Sequence, residues 1–262
     1  LETSSMKNNI KRYLYNHRSL PKKLISTFVR KPVLLDLKDF VMYVRLDDWA
    51  VGARIAIRRN FEKHVSRVMR SFLKHNMVIL DIGANIGYYT LLAASYIGDR
   101  GKVISFEPST DNCSLLQMSV RKNDFRNVVI NNKAVADING LVRFRMDDSN
   151  GCINRDINSS DPFQVEAVTL DSFLKDEPKI DLIKMDIEGA EGLALKGMLK
   201  LLKKHLPIIF TEFSPNALED TSKISPLDYL NCLLGLGYEL RVMHQVNGPS
   251  QSPLSNREIM QF

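Results

Sequence analysis

The sequence predicts an α/β fold in which helices cover both faces of a doubly wound, mostly parallel sheet. Apolar runs of strand length alternate with helical patterns through most of the chain, which is typical of right-handed βαβ units. Three of those runs have an acid at or just beyond their carboxyl end, namely Asp81, Glu107 and Asp186. Ligands of open α/β sheets bind beyond the carboxyl ends of the strands, so we expect these acids to surround one crevice.

Composition restricts the class of protein before any motif is considered. The chain has 262 residues, 44% hydrophobic and 25% charged, with 36 Lys and Arg against 30 Asp and Glu for a net charge of +6. These values fit one globular α/β domain with extensions. We find no apolar run of about 18 residues and no signal-peptide pattern, and the three cysteines have no C-x-x-C spacing. A protein of the reducing cytoplasm is therefore expected rather than a secreted or integral membrane protein.

Residues 1–55 are expected to form an N-terminal extension before the main domain, which spans residues 56–262. The segment 7–31 is basic and contains no acid, and apolar residues are interleaved with its charges. Such an arm can make weak peripheral contact with an anionic membrane or a charged carrier, but packing on its own domain or on a twin subunit is preferred. Its charge is modest for nucleic acid, so no nucleic-acid partner is expected, and a monomer or a homodimer fits. Residues 33–37 and 40–44 then predict a short hairpin.

The main domain is predicted element by element. An apolar stripe from Phe61 to Leu73 has helical spacing. The predicted strands are residues 77–82, 102–107, 128–130, 180–186, 207–213 and 238–243, with helices near 88–97, 111–123, 190–203 and 226–234 between them. Residues 141–145 and 164–168 predict extra strands around a polar loop at 147–161, and a long loop in such a place often covers a binding site.

The turn after the first main strand indicates which cofactor is bound. Gly83 permits a tight turn, Asn85 tolerates a left-handed conformation, and Gly87 permits close packing at the helix start. A dinucleotide fingerprint starting at Gly83 would need glycines at Asn85 and Tyr88, and no phosphate-binding P-loop occurs, so nicotinamide cofactors are disfavoured. Glu107 follows Asp81 by 26 residues, where an acid can accept hydrogen bonds from both ribose hydroxyls. S-adenosylmethionine has no phosphate and is cationic at its sulfur, which suits this acidic site.

The motifs resemble those of the FkbM family of S-adenosylmethionine-dependent methyltransferases. The resemblance rests on residues 78–90 (VILDIGANIGYYT), 106–108 (FEP), 132–135 (NKAV) and above all 183–191 (IKMDIEGAE). It implies a Rossmann-like class I methyltransferase with a seven-stranded sheet ending in an antiparallel hairpin, whose last strand would be residues 256–262. It also implies O-methylation of a hydroxyl on a sugar-containing or natural-product small molecule, within natural product biosynthesis.

The resemblance also implies roles for individual residues. Asp81, Gly83, Asn85 and Gly87 would line the methionine portion of the cofactor, Glu107 the ribose, and residues 132–135 the adenine. The full set of expected cofactor-binding residues is Asp81, Gly83, Ala84, Asn85, Gly87, Tyr88, Thr90, Glu107, Pro108, Asn132, Lys133, Ala134, Val135 and Asp186.

An alcohol must lose its proton to accept a methyl group, so a base or a metal ion is needed near the sulfur. Asp186, Glu188 and Glu212 are the candidate catalytic residues because they lie at the ends of two adjacent strands. Carboxylate oxygens would also suit Mg²⁺, but no ligand spacing in the sequence supports a metal site, and no metal ligand is assigned.

Several alternatives stay open at this stage. The domain could be a non-catalytic binding module of the same fold, or it could methylate nitrogen or a macromolecule. Glu62 could reach the cofactor amino group or be an exposed helix acid, and Glu191 could belong to the site or favour the helix dipole. Tyr88 and Tyr89 could contact the acceptor or pack in the core, and only His244 among the histidines lies near a predicted strand end.

Overall fold

The structure is a computed structural model that describes residues 31–147, 150–154, 163–244, 248–249 and 256–260. Its centre is a five-stranded, all-parallel sheet with the order β11-β10-β3-β4-β5. The five strands are β3 (Val78–Ile82), β4 (Lys102–Phe106), β5 (Val128–Asn131), β10 (Leu182–Met185) and β11 (Ile208–Thr211). Each corresponds to a predicted strand, so the α/β class with a parallel sheet is confirmed.

Helices cover both faces of this sheet, as a doubly wound fold requires. One face packs against α1 (Gly52–Arg58), α2 (Lys63–Phe72), α3 (Tyr88–Ile97) and α4 (Thr110–Lys122). The other face packs against α5 (Leu170–Phe173), α6 (Glu191–Lys196), α7 (Leu199–His205), α8 (Pro215–Ser222), α9 (Pro226–Gly235) and α10 (Asn256–Ile259). Successive residues of a strand point to opposite faces, so Ile79 joins the first core and Leu80 the second.

A separate four-stranded sheet stands beside the carboxyl end of β5. Its order is β6-β9-β7-β8, formed by β6 (Ala134–Val135), β7 (Gly140–Asp147), β8 (Asn150–Asn154) and β9 (Phe163–Val168). Its apolar side chains pack on Ala190 and Leu193 at the start of α6. The two extra strands predicted from sequence are confirmed, whereas β8 lies in a segment that was interpreted as a polar loop. The sequence does not predict β8 because this strand contains residue types that strands seldom contain, namely Asn150, Gly151 and Asn154.

The predicted hairpin near the N-terminus is confirmed as β1 (Val33–Asp36) paired antiparallel with β2 (Val41–Val44). It joins the main core, because Leu35, Met42 and Val44 are fully buried there. Asn123 and Ser119 at the end of α4 accept hydrogen bonds from the backbone of β2. The basic arm, residues 7–30, lies outside the described residues, and the division of the chain after residue 55 stays a prediction.

Seven strands in the main sheet are not confirmed, since the described residues contribute five. The predicted strand at 238–243 is wrong except for Met243, which belongs to β12 (Met243–His244) and pairs with β13 (Gly248–Pro249). The apolar residues of this segment alternate along the chain because every second side chain packs on the second core, but within the described residues the backbone pairs with no other strand there. The residues that pack in this way are Tyr238, Leu240 and Val242. Residues 256–259 form α10 rather than a last strand, and the helix expected at 190–203 is divided into α6 and α7 at Gly197 and Met198.

Gly83 allows the loop after β3 to lie very close to the end of β10. It has φ of +80°, and a Cβ atom built on it would lie 2.0 Å from the carbonyl oxygen of Asp186. Its amide donates to the carbonyl of Phe106 at 2.9 Å. The loop after β3 is therefore fixed directly against the ends of both neighbouring strands, an arrangement that no residue with a side chain permits without displacement.

We expect Gly83→Ala to lower the free energy of unfolding by roughly 2 to 4 kcal/mol, because a left-handed alanine and a steric clash add together. Chemical denaturation measures this. Gly235→Ala is the matched control, since a Cβ at Gly235 meets nothing within 4 Å and alanine favours a helix. Equal stability of the two variants would contradict the close approach.

Candidate active site

A cavity of about 950 Å³ opens at the carboxyl edge of the parallel sheet. The loops after β3, β4, β10 and β11 all contribute to its wall, together with β6 and β8 of the second sheet. The expected site residues that line it are Gly83, Ala84, Asn85, Tyr88, Glu107, Pro108, Lys133, Ala134, Val135, Asp186, Glu188 and Glu212. Most of the predicted residues are thus brought together. Asp81, Gly87, Thr90 and Asn132 are not in this wall.

Glu107 is a buried acid at the end of β4, held by the loops around it. One carboxylate oxygen accepts from the backbone amide of Asn85 at 2.8 Å, and the other accepts from the amide of Ser109 at 2.9 Å. Asn85 has φ of 50°, so its predicted left-handed conformation is confirmed. Burial raises the pKa of Glu107 to about 7, although these hydrogen bonds oppose the shift. Glu107 is therefore a preorganised acceptor at the cavity wall.

Asp81 lies beneath the cavity, inside a polar layer between the sheet and α3. Its Oδ2 accepts a hydrogen bond from the hydroxyl of Thr90 at 2.5 Å, and Thr90 shares a second hydrogen bond with Ser105 at 2.7 Å. Burial raises the pKa of Asp81 to about 6, against the effects of Thr90 and Lys184. Asp81 therefore supports the loop that carries Gly83 and Asn85 from below.

Asp186 forms an ion pair with a lysine of its own strand. The Nζ of Lys184 lies 2.9 Å from Oδ2 of Asp186. Burial acts to raise the pKa of Asp186, but the ammonium and a hydrogen bond from Glu212 outweigh it, so that pKa is lowered. Partial burial and the charge of Asp186 raise the pKa of Glu212 to about 8, with Glu188 and Glu191 adding to the shift. The ammonium of Lys184 thus favours the ionised form of Asp186, whereas the neighbouring acids favour the protonated form of Glu212.

Glu188 faces the cavity mouth, where Asn150 bridges two loops. The Nδ2 of Asn150 donates to Oε1 of Glu188 at 2.7 Å, and its Oδ1 accepts from Nδ2 of Asn85 at 3.2 Å. A single amide on β8 thus connects the loop after β3 with the loop after β10. The segment expected to cover a binding site does so at Asn150.

Glu191 is buried and serves the backbone. Its Oε1 accepts from the amide of Ile187 at 2.8 Å, which closes the loop that presents Asp186 and Glu188. Burial raises the pKa of Glu191 to about 7. Support of the loop is a third role, beyond the two considered for this acid, which were membership of the site and interaction with the helix dipole.

The side of the cavity expected to hold adenine is formed by Pro108 and by Lys133 to Val135. Lys133 forms an ion pair with Glu166 of β9. Asn132 is exposed, and its amide nitrogen donates to the carbonyl oxygens of Glu107 at 2.9 Å and Pro108 at 2.8 Å. Asn132 therefore positions this wall instead of lining it.

Sequence reasoning missed three contributors to the site, namely Lys184, Asn150 and His64, whereas it had considered Glu62. Lys184 was visible as the one charge within the apolar run 182–185, and Asn150 gave no signal. Glu62 lines the cavity and accepts a hydrogen bond from the hydroxyl of Tyr89 at 2.7 Å. His64 also lines the cavity, although a surface role was expected. His244 lies on β12, and Tyr88 packs against Phe40.

Within the described part of the chain, no group of three or more His, Cys, Asp or Glu side chains is arranged to hold a metal ion. A search of the same residues for helices finds none of the length and apolarity needed to traverse a bilayer.

A comparison with models of known protein families identifies the family of this chain. The family model described as the methyltransferase FkbM domain matches residues 81–240, which is more than half of the chain. The chain belongs to the FkbM methyltransferase family. The match begins at Asp81 and includes every loop of the cavity described above except that around Glu62. Among curated proteins, none matches significantly.

Solved structures give more distant likenesses. An FkbM methyltransferase from Methylobacillus flagellatus is 22% identical with a TM-score of 0.45, covering 63% of this chain and 38% of its own. A precorrin-6y C5,15-methyltransferase from Geobacter metallireducens is 15% identical, with a TM-score of 0.41 and coverages of 68% and 74%. An S-adenosylmethionine-dependent O-methyltransferase from Thermotoga maritima is 16% identical, with a TM-score of 0.37 and coverages of 74% and 60%. The chain thus spans little more than a third of the length of the Methylobacillus flagellatus protein. Its assignment to the FkbM family rests on the match to the family model.

The buried acid Glu191 yields a prediction about pH. Because its pKa is higher in the folded state than in the unfolded chain, the folded state binds the proton more tightly, and stability falls as pH rises from about 4.5 through 7. We expect Glu191→Gln to remove roughly 2 to 3 kcal/mol of the difference in unfolding free energy between pH 5 and pH 8.5, measured by denaturant titration. Asp81 and Glu107 leave a residual slope of the same sign.

The control for this experiment is Glu219→Gln, which changes an exposed acid on α8 and should leave the pH dependence as it is. A pH dependence in Glu191→Gln equal to that of the unaltered protein would show that Glu191 is not buried as described.

Proposed function

We propose that this FkbM family member transfers a methyl group from S-adenosylmethionine to a hydroxyl group of a sugar-containing or natural-product small molecule. The observation that carries the proposal is the arrangement of Asp186, Lys184 and Glu212 at the same cavity edge as Glu107. This arrangement provides an ionised base on one side of the cavity and a nucleoside acceptor on the other.

The cavity fits the proposed cofactor in size and in donor set. Pockets for small ligands and cofactors measure about 300 to 1,000 Å³, and this one has about 950 Å³. Glu107 would accept the ribose hydroxyls, while Ala134 and Val135 offer an apolar wall for adenine. The loop 83–85 and Asp186 would flank the methionine portion. S-adenosylmethionine supplies a methyl group on a positively charged sulfur that departs as a neutral thioether.

The chain's own residues provide the rest of the chemistry. Asp186, ionised beside Lys184, accepts the proton of the acceptor hydroxyl as the new oxygen–carbon bond replaces the sulfur–carbon bond, whose electron pair stays on sulfur. Glu212 and Glu188 orient the acceptor through hydrogen bonds, one as a protonated donor and the other as an acceptor. Orientation of two bound reactants can supply roughly 7 to 11 kcal/mol of the barrier, so these positions matter as much as the base. A metal ion is not required by this scheme.

A non-catalytic binding module is the second candidate. A module would need no ionised acid facing the cavity, and burial of Lys184 with Asp186 would then be an unexplained cost. We also propose a cytoplasmic protein of one methyltransferase domain, residues 56–262, that acts as a monomer or homodimer. Methylation of nitrogen stays an alternative within the same class.

The cofactor proposal predicts the response of the protein to ligands. S-adenosylhomocysteine at a hundredfold excess over its dissociation constant should raise the melting temperature by roughly 5 to 10 °C, and NAD should not. Glu107→Gln should lose most of that shift, because an amide cannot accept from two ribose hydroxyls and two backbone amides together. Glu219→Gln serves as the control and should keep it. Absence of any shift in protein freed of bound nucleoside would remove the proposal.

The chemistry predicts a separation of binding from turnover. With isotopically labelled S-adenosylmethionine and small-molecule extracts, the protein should add mass equal to one methylene to a hydroxyl compound. Asp186→Asn should bind S-adenosylhomocysteine nearly as well but lose at least about a hundredfold in turnover, the usual contribution of a general base. Full turnover by Asp186→Asn would clear Asp186 of the role of base.

A further inference from the structure

Lys184 is the least expected residue of the site. It belongs to β10, whose four residues are all buried, and its side chain is only 6% exposed. A buried ammonium carries a large desolvation cost unless it is paired, so such a residue is retained only where it has a specific partner. The family match assigns it no function, and the proposed chemistry names it only as the charged neighbour of Asp186.

The register of the sheet places Lys184 beside the polar layer under the cavity. Lys184 is the register partner of Asp81 on β3, and Asp81 is the partner of Ser105 on β4. Side chains at paired positions of a sheet point to the same face, so these three form one row beneath α3. The row explains how a lysine can lie so deep, because Asp81 adds negative charge along it.

Two contacts fix the ammonium of Lys184. It lies 2.9 Å from Oδ2 of Asp186 and 5.0 Å from the ring centroid of Tyr89, within the range of a cation–π interaction. The Tyr89 hydroxyl in turn donates to Glu62 at the start of α2 at 2.7 Å. The chain of contacts therefore joins β10, α3 and α2 around one positive charge.

Asp186 and Glu212 directly follow the paired residues Met185 and Thr211 of neighbouring strands and line the same cavity edge, so two acids compete for one proton at the place where a base is needed. A cation beside only one member of such a pair decides which member is ionised. Among the described residues, the charged and titratable groups that interact with Asp186 itself or with its neighbours Lys184, Glu212 and Tyr89 are Lys184, Glu212, Asp81, Tyr89, Glu62, Glu188 and Glu191. Lys184 is the one cation of this set.

We propose that Lys184 is a positioning residue whose ammonium places the negative charge on Asp186 instead of Glu212 and holds that carboxylate at the cavity edge. The inference rests on the proposed function for the use made of Asp186, but its core concerns only the chain's own charges. In this role Lys184 acts through Asp186 and not on a reactant. It keeps Asp186 ready to accept a proton and leaves Glu212 as the protonated neighbour.

The direct test is a titration of side-chain carboxyl carbons by NMR, in protein labelled at aspartate and glutamate and without added ligands. Asp186→Asn identifies the Asp186 signal by its loss. In the unaltered protein this signal should titrate below the ordinary range of aspartate, and in Lys184→Met its midpoint should rise by at least about one pH unit. Lys184→Arg should keep the midpoint low because it keeps the charge. Lys102→Met, which removes a lysine paired with Glu177 elsewhere, should leave it unchanged.

An Asp186 midpoint unmoved in folded Lys184→Met would overturn the proposal, as would an equal shift in Lys102→Met. If Lys184→Met does not fold, Glu212→Ala decides the matter: Asp186 should still titrate at low pH, since Lys184 remains. A rise toward the ordinary aspartate value in Glu212→Ala would assign the effect to Glu212 and overturn the proposal.

Turnover provides a second readout that a merely structural lysine would not alter. The acid limb of the pH profile of kcat should move upward in Lys184→Met by the same interval as the carboxyl titration, with KM for S-adenosylmethionine little changed. One pH unit corresponds to about tenfold lower kcat on that limb. If the carboxyl titration behaves as expected and no methyl transfer is found, the proposed function fails while this inference stands. If the Asp186 midpoint shifts in Lys184→Met but the acid limb of the kcat profile does not move, Lys184 does not affect catalysis through Asp186. That result would overturn its positioning role.

Discussion

The close contact between the loop after β3 and the end of β10 determines the rest of the site. Gly83 lies against the Asp186 carbonyl, and the amide of Asp186 donates back to Ile82 at 3.1 Å. The amides of Gly83 and Ala84 both donate to the carbonyl of Phe106 at the end of β4. Three strand ends are thus joined by backbone hydrogen bonds, and the carboxylate of Glu107 adds two more by accepting from the amides of Asn85 and Ser109. Backbone hydrogen bonds of this kind are obligatory for buried amides, so the geometry is rigid without any contribution from the ligand.

Negative charge collects at this edge and is stabilised in a graded way. Glu107 is held by amides, Asp81 by the Thr90 hydroxyl, and Asp186 by a full positive charge. The pKa follows this order of support, being raised for the first two and lowered for the third. Environment alone therefore gives chemically identical groups different protonation at neutral pH. A cationic ligand would meet the ionised carboxylate of Asp186. The acids with a raised pKa, Glu107 and Asp81, would ionise more readily once such a ligand is bound.

Much of this arrangement is predictable from sequence because it depends on short-range rules. Acids at the ends of apolar strands, the glycine turn and the left-handed Asn85 each follow from residue type and position. The break at Gly197 and Met198 lies within an amphipathic pattern that continues through it. Gly197 is needed because a Cβ there would lie 2.0 Å from the Ala136 carbonyl, a tertiary contact that periodicity does not show. Asn150 and Tyr238 were misjudged for the same reason, since packing against distant elements decided their conformation.

The second sheet is connected to the rest of the domain mainly at two places. It starts directly after β5 and packs on the first turn of α6, and within the described residues Asn150 of β8 joins the loops after β3 and β10 through hydrogen bonds. Substitutions along β7 and β8 can therefore remodel one wall of the chamber while the glycine turn and the Lys184 pair stay intact. The wall formed by the second sheet and the charged floor of the chamber are therefore separate layers, and either can change in sequence without displacing the other.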